Sequence, residues 1–174
     1  MSSGFVLALL LVAPLRSPQA IQQSFASVGA AKTLDAVYSD PEAWALLTRG
    51  LASGAQPWLD AAVLIIGPAD AGGSEELHEG MARALTRAPR AALRAMNQSM
   101  EHPRSCCNSF RPSNVCGNTQ ALASSVAADG QLAWLDQQAH AVKGVSDPEL
   151  QELRANCLRA IADERAEIHK RERK

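Results

Sequence analysis

Three cysteines crowd into one stretch of this 174-residue chain, Cys106, Cys107 and Cys116, and the fourth, Cys157, stands alone far downstream on a helical pattern. That arrangement constrains the fold more than any other feature. An even cysteine count behind an apolar leader reads as two disulfides formed in an oxidising compartment. Four cysteines allow three connectivities. A bond between the neighbours Cys106 and Cys107 is strained, so each is expected to pair outward, one closing a short loop to Cys116 and the other reaching Cys157. Cys₄ zinc sites usually show two short C-x₂₋₄-C hairpins, and this chain has none, so metal is the weaker reading.

The leader is an apolar stretch from Phe5 to Leu15. Its length suits the core of a signal peptide and falls well short of the ~20 residues that span a bilayer. Residues 1–20 are therefore expected as a signal peptide, cut after Ala20 or later within Ala26–Ala30, and 21–174 as a single helical domain. Three details depart from the usual signal: no Lys or Arg precedes the stretch, Arg16 follows it, and Pro18 sits where a small residue is preferred. The plainer alternative is a buried N-terminal helix. No cysteine ends the leader, so a lipid anchor of the lipoprotein type is not indicated.

Aromatic residues make up only 4% of the chain, and alanine and leucine supply much of its 47% hydrophobic content. Strand formers are scarce and helix formers abundant, which predicts an all-α fold. Formal net charge is −1. A nucleic-acid or membrane-surface partner would call for a basic field, so neither is expected.

Helix punctuation is clear. Ser39-Asp40-Pro41-Glu42 and Ser146-Asp147-Pro148-Glu149 both read as helix starts, with a cap, a first-turn proline and an acid. The first leads into Trp44, Leu47 and Leu51 and stops near Gly54. Pro57 opens a second helix through Ile66, ended by Gly67-Pro68. Ser74 is expected to cap a third, with Leu77, Met81, Ala84 and Leu85 inward, and Pro89 to begin a short fourth through Met96. From about 97 to 117 no apolar period remains, and a long cysteine-containing loop is expected. Helices at about Thr119–Ala128 and Gln131–Val142, separated by Asp129-Gly130, precede a last one from Asp147. Its apolar face holds Leu150, Leu153, Cys157 and Ile161. The result is a compact bundle or a short stack of helix pairs, about six helices in all, stapled by two disulfides.

Motifs for chemistry fail one by one. The string from Gly67 to Ser74 has the spacing of a phosphate-binding loop, but Gly73 stands where the motif requires lysine. His78-Glu79 resembles the start of a zinc-protease helix, yet Ala82 replaces the second histidine. Glu75, His78 and Glu79 share a helix face that reads as solvated surface. No G-x-S-x-G or S-x-x-K string marks a nucleophile, and Cys106-Cys107 lacks the C-x-x-C spacing of thiol oxidoreductases. Trp44, Trp58 and Trp134 read as core, and the echo of Trp58-Leu59-Asp60 in Trp134-Leu135-Asp136 fits stacked helix pairs. The mixed-charge tail from Asp163 continues the last helix, its cations complementing the negative end.

Tyr38-Ser39-Asp40-Pro41-Glu42-Ala43-Trp44 with Leu46-Leu47, Ser53-Gly54, Trp58-Leu59, Ala71-Gly72, Glu75-Glu76-Leu77 and Val115-Cys116-Gly117 resembles uncharacterised exported proteins of proteobacteria. The likeness covers Tyr38 to Gly117 and implies an exported helical domain, with no catalytic residue carried over. In size and cysteine content the chain is also similar to small periplasmic immunity proteins that neutralise toxins of type VI secretion systems. The expected role is protein binding in the periplasm or outside the cell, without a cofactor, with Ser109, Phe110 and Arg111 of the cysteine loop as contact surface. The alternatives are an enzyme assembled from Glu75, His78, Glu79 and His102, and a structural envelope protein. Partner, pairing and oligomeric state stay open at this level.

Overall fold

Short helix formers bounded by prolines and glycines produce short helices, and the computed structural model shows them for residues 14–101, 108–122 and 126–173. In order these are α1 (Pro18–Val28), α2 (Ala30–Tyr38), α3 (Pro41–Ser53), α4 (Gln56–Ile65), α5 (Ala71–Arg87), α6 (Pro89–Glu101), α7 (Pro112–Val115), α8 (Ala128–Lys143) and α9 (Gln151–Glu172). Single 3₁₀ turns at Thr119–Ala121 and Pro148–Leu150 complete them. There is no strand among the described residues, as an all-α composition predicts.

Successive hairpins stack. α3 pairs with α4, α5 with α6, and α8 with α9; α3, α5 and α8 then follow one another in one row, while α4 packs on α6 and α6 on α9. The hairpin of α1 and α2 closes the first end against α3 and α4. One continuous core runs through the stack, from Leu15 and Ile21 to Ile161 and Ile168.

Nine α-helices stand among the described residues, more than the roughly six expected: α1, α2 and α7 come in addition to the expected helices, and several boundaries differ. Ser17 caps α1, its Oγ accepting from the Ala20 N–H at 3.2 Å. Pro18 and Ile21 are buried, so the cut expected after Ala20 would fall in the first turn of this helix. α6 continues past Met96 to Glu101, so the cysteine loop is shorter than its polar composition suggests. The helix expected at Thr119–Ala128 is not seen over its described residues, 119–122 and 126–128: a 3₁₀ turn ends at Ala121 and α8 begins at Ala128, with Asp129-Gly130 inside its first turn rather than before it.

The two Ser-Asp-Pro-Glu starts have different chemistry. Asp40 caps α3, its Oδ1 accepting from the Glu42 and Ala43 N–H groups at 3.0 and 3.3 Å. Asp147 makes no such cap. Its carboxylate instead takes Arg90 at 2.6 Å and Arg94 at 2.8 Å from α6. These guanidiniums, Arg90 first, hold the Asp147 carboxyl below its ordinary pKa.

The tryptophans are wedges between helices. Trp58 lies over Gly50 so closely that a β-carbon there would meet its ring at 2.3 Å. Trp44 stands edge-on to Tyr38 with 4.8 Å between ring centroids, and its Nε1–H donates to Glu76 on α5 at 2.6 Å. Trp58 opens α4 whereas Trp134 sits mid-helix in α8, so their shared letters do not mark a repeat. No helix among the described residues is long and apolar enough to cross a membrane.

Candidate functional site

The phase of α5 decides what its polar residues face. Asp70, not Ser74, caps this helix, with Oδ1 accepting from the Gly73 N–H at 2.8 Å. Ser74 is buried inside the first turn and donates to the Ala71 carbonyl at 3.0 Å. The glycine-rich string is therefore a turn and a helix start, with Gly72 and Gly73 already helical. From that start Leu77, Met81, Ala84 and Leu85 point into the core, as their spacing predicts.

His78 goes in with them. Only 7% exposed, it departs from the solvated face expected of it. Its Nε2 lies 3.1 Å from the Ser109 carbonyl, which can only accept, so Nε2 carries the proton. The ring meets Phe110 edge-on at 5.8 Å. Burial pushes the imidazole pKa below its usual value; the Ser109 carbonyl and the Glu75 charge pull less strongly the other way. Glu75 is exposed, and Glu79 half-buried. Burial raises the Glu79 carboxyl above its ordinary range, opposed by Arg83 at 3.9 Å.

The partner of His78 belongs to the cysteine segment, where two expectations are corrected. Ser109 and Phe110 do not form a contact surface: Ser109 is 2% exposed and Phe110 fully enclosed. The Phe110 N–H donates to Ser99 Oγ on α6 at 3.0 Å, fixing the ring as an anchor. A large aromatic gains more from leaving water than a polar loop loses by bending to place it. Arg111 alone of the three remains exposed, donating through Nε to Ser109 Oγ at 3.1 Å.

The second correction concerns the cysteines. Cys116 bonds Cys157 of α9, with 5.2 Å between their Cα atoms, rather than closing a short loop to Cys106 or Cys107. The cause is the turn after α7. Gly117 adopts φ +79°, and a β-carbon there would stand 2.9 Å from the Ala160 carbonyl oxygen, so the chain passes directly over α9 at this point. The Gly117 N–H is satisfied by Gln138 Oε1 at 2.9 Å, and Gln138 Nε2 donates to the Ala82 carbonyl at 3.3 Å. This fully buried glutamine, linking α8, α5 and the segment, carries no signal in the sequence. Cys106, Cys107 and His102 lie outside the described residues, and one disulfide is present among those described.

Together α5, the α7 segment and α9 enclose an open cleft of about 700 Å³. Glu75 and His78 line one wall, Asp163, Glu164, Glu167 and Arg171 of α9 the other, and Ser113, Asn114 and Gln120 its rim. Glu164 accepts from Thr119 Oγ1 at 3.3 Å and from Arg171 at 3.1 Å. Two of the catalytic candidates, Glu75 and His78, thus share the cleft, and Glu79 is not among its lining residues. Sequence reasoning missed the α9 acids, which read as an ordinary charged tail. The available signal was their spacing, 163, 164 and 167, which repeats on one helix face. No group of three or more His, Cys, Asp or Glu among the described residues is placed to hold a metal ion.

Comparisons of the chain with protein-family models, with curated proteins and with solved structures find no match.

Proposed function

We propose that this chain is an exported protein-binding module of the periplasm or cell exterior, of the immunity or inhibitor kind. The observation that carries this reading is the α7 segment, fastened by the Cys116–Cys157 bridge and presenting Ser113, Asn114 and Gln120 on the rim of the cleft. Binding residues concentrate on short segments held by rigid scaffolds, and fastening before contact lowers the entropy cost of association. Export is supported by the disulfide itself, because such bonds persist in oxidising compartments.

Site-specific photo-crosslinking in the periplasm tests the reading. A crosslinker at Ser113 or Gln120 should yield one discrete adduct, absent when it is placed at Asp35 on α2. Ser113→Arg with Gln120→Arg, both at exposed positions, should abolish capture of that adduct by the purified protein. Absence of any adduct at the rim would refute the assignment.

A catalytic reading draws on one observation, that Glu75 and His78 line the same cleft. Hydrolysis lost in His78→Ala would support it. A silent hydrolase screen, with and without added metal, would remove Glu75, His78, Glu79 and His102 as candidates.

A further inference from the structure

We propose that the cleft between α5 and α9 receives a basic segment of the partner, with an arginine or lysine side chain seated between Glu75 and the α9 carboxylates. The inference rests on the protein-binding reading and names the chemistry of what is bound. Four carboxylates, Glu75, Asp163, Glu164 and Glu167, line the cleft against a single guanidinium, Arg171. Arg171 is spent on Glu164 at 3.1 Å. Glu167 meets only Lys170 of its own helix, at 3.5 Å, and Glu75 and Asp163 have no ion-pair partner among the described residues. In a chain of formal net charge −1, this is a local field rather than a property of the whole surface.

Independently of the carboxylates, His78 points to the same ligand. It is 7% exposed and lines the cleft, with its Nε2–H committed to the Ser109 carbonyl. The neutral ring therefore keeps a lone pair on Nδ1, which has no hydrogen-bond partner among the described residues. What remains for a ligand, on His78 as on the carboxylates, is acceptors. A guanidinium is all donor and reaches carboxylates in pairs. Anionic macromolecules are repelled by the same groups, and a bare metal ion lacks a convergent ligand set among the described residues.

The test uses the full chain with its disulfide intact and a dye-labelled peptide of alternating arginine and glycine, followed by fluorescence anisotropy at pH 7.5. The matched peptide with citrulline in place of arginine keeps the shape and removes the charge; it should bind at least tenfold more weakly. Glu75→Gln with Asp163→Asn and Glu167→Gln should weaken arginine-peptide binding at least tenfold with an unchanged melting temperature. Asp35→Asn with Asp60→Asn and Glu152→Gln changes net charge equally at positions that do not line the cleft and should leave binding within twofold. Equal loss in both triple variants, equal binding of the citrulline peptide, or no binding would each overturn the inference. If the peptide fails while rim crosslinks still form, the basic-segment inference falls and the protein-binding reading stands. If both fail, both fall.

Discussion

At Gly117 two demands meet on one α-carbon. Its φ of +79° is a conformation that side-chain-bearing residues rarely adopt, and the Ala160 carbonyl oxygen stands 2.9 Å from where a β-carbon would sit. Gly117→Ala should therefore cost about 1–3 kcal/mol, read as a melting temperature lowered by several degrees. Gly144→Ala is the control. Gly144 has φ −69° and only ordinary contact at 3.4 Å, so the same change there should stay within about 1 kcal/mol. His78 offers a pH readout. Its folded pKa lies below the ordinary 6.5, so the unfolded chain takes up the proton first as pH falls. Stability must then decline from about pH 7 downward through the His78 titration and level off below it. Urea unfolding from pH 7.5 to 5 should show this slope, smaller in His78→Gln than in the parent; identical slopes would refute the assignment. Phe110 shows why burial was not legible here. An isolated phenylalanine amid Ser, Asn and Pro has no apolar period to betray it, and its pocket is built by α5 and α6.

Among the elements, α1 has the sharpest consequence. Leu15 and Ile21 reach the core, Ser17 caps the helix, and Arg16 pairs with Asp40 at 3.0 Å and with Glu42. A chain beginning at Ile21 loses Leu15, the cap and the ion pair together. Against one beginning at Pro14 it should be less stable by about 2–4 kcal/mol, nearly all from the buried side chain and the cap. Equal denaturation midpoints would show that α1 is not part of the cooperative unit. The element scale also shows where punctuation misleads. Ser-Asp-Pro-Glu occurs twice, yet Asp40 caps a helix while Asp147 serves two arginines of α6. Which use a carboxylate finds depends on whether a guanidinium stands within reach, and that is decided by packing. The starts of α3 and α4 and the inward stripe of α5 were legible because proline, glycine and apolar spacing act locally.

For the whole molecule, the bridge between Cys116 and Cys157 joins α9 to the segment that follows α6, across 41 residues of chain. On the loop-entropy model its closure is worth up to about 4 kcal/mol. Cys157→Ala should lower the melting temperature by several degrees, and Cys116→Ala by the same amount, with no further loss in the double variant. Non-reducing peptide mapping should recover the Cys116–Cys157 pair; a linkage from Cys116 to Cys106 or Cys107 would overturn this topology. The cleft exists only at this scale, since Glu75 and Glu167 are far apart in sequence and line it together because α5 and α9 flank one fastened segment.

Alanine- and leucine-rich composition, proline starts and glycine stops determined by themselves that this protein is helical, where several of its helices begin, and which stripe of α5 turns inward. Those are local matters, settled within a few residues by backbone sterics and capping. Tertiary structure alone decided the cysteine pairing, the burial of Ser109, Phe110, His78 and Gln138, and the gathering of acids around the cleft. Each depends on distances between segments far apart in sequence, and such distances follow from helix packing rather than from any local preference.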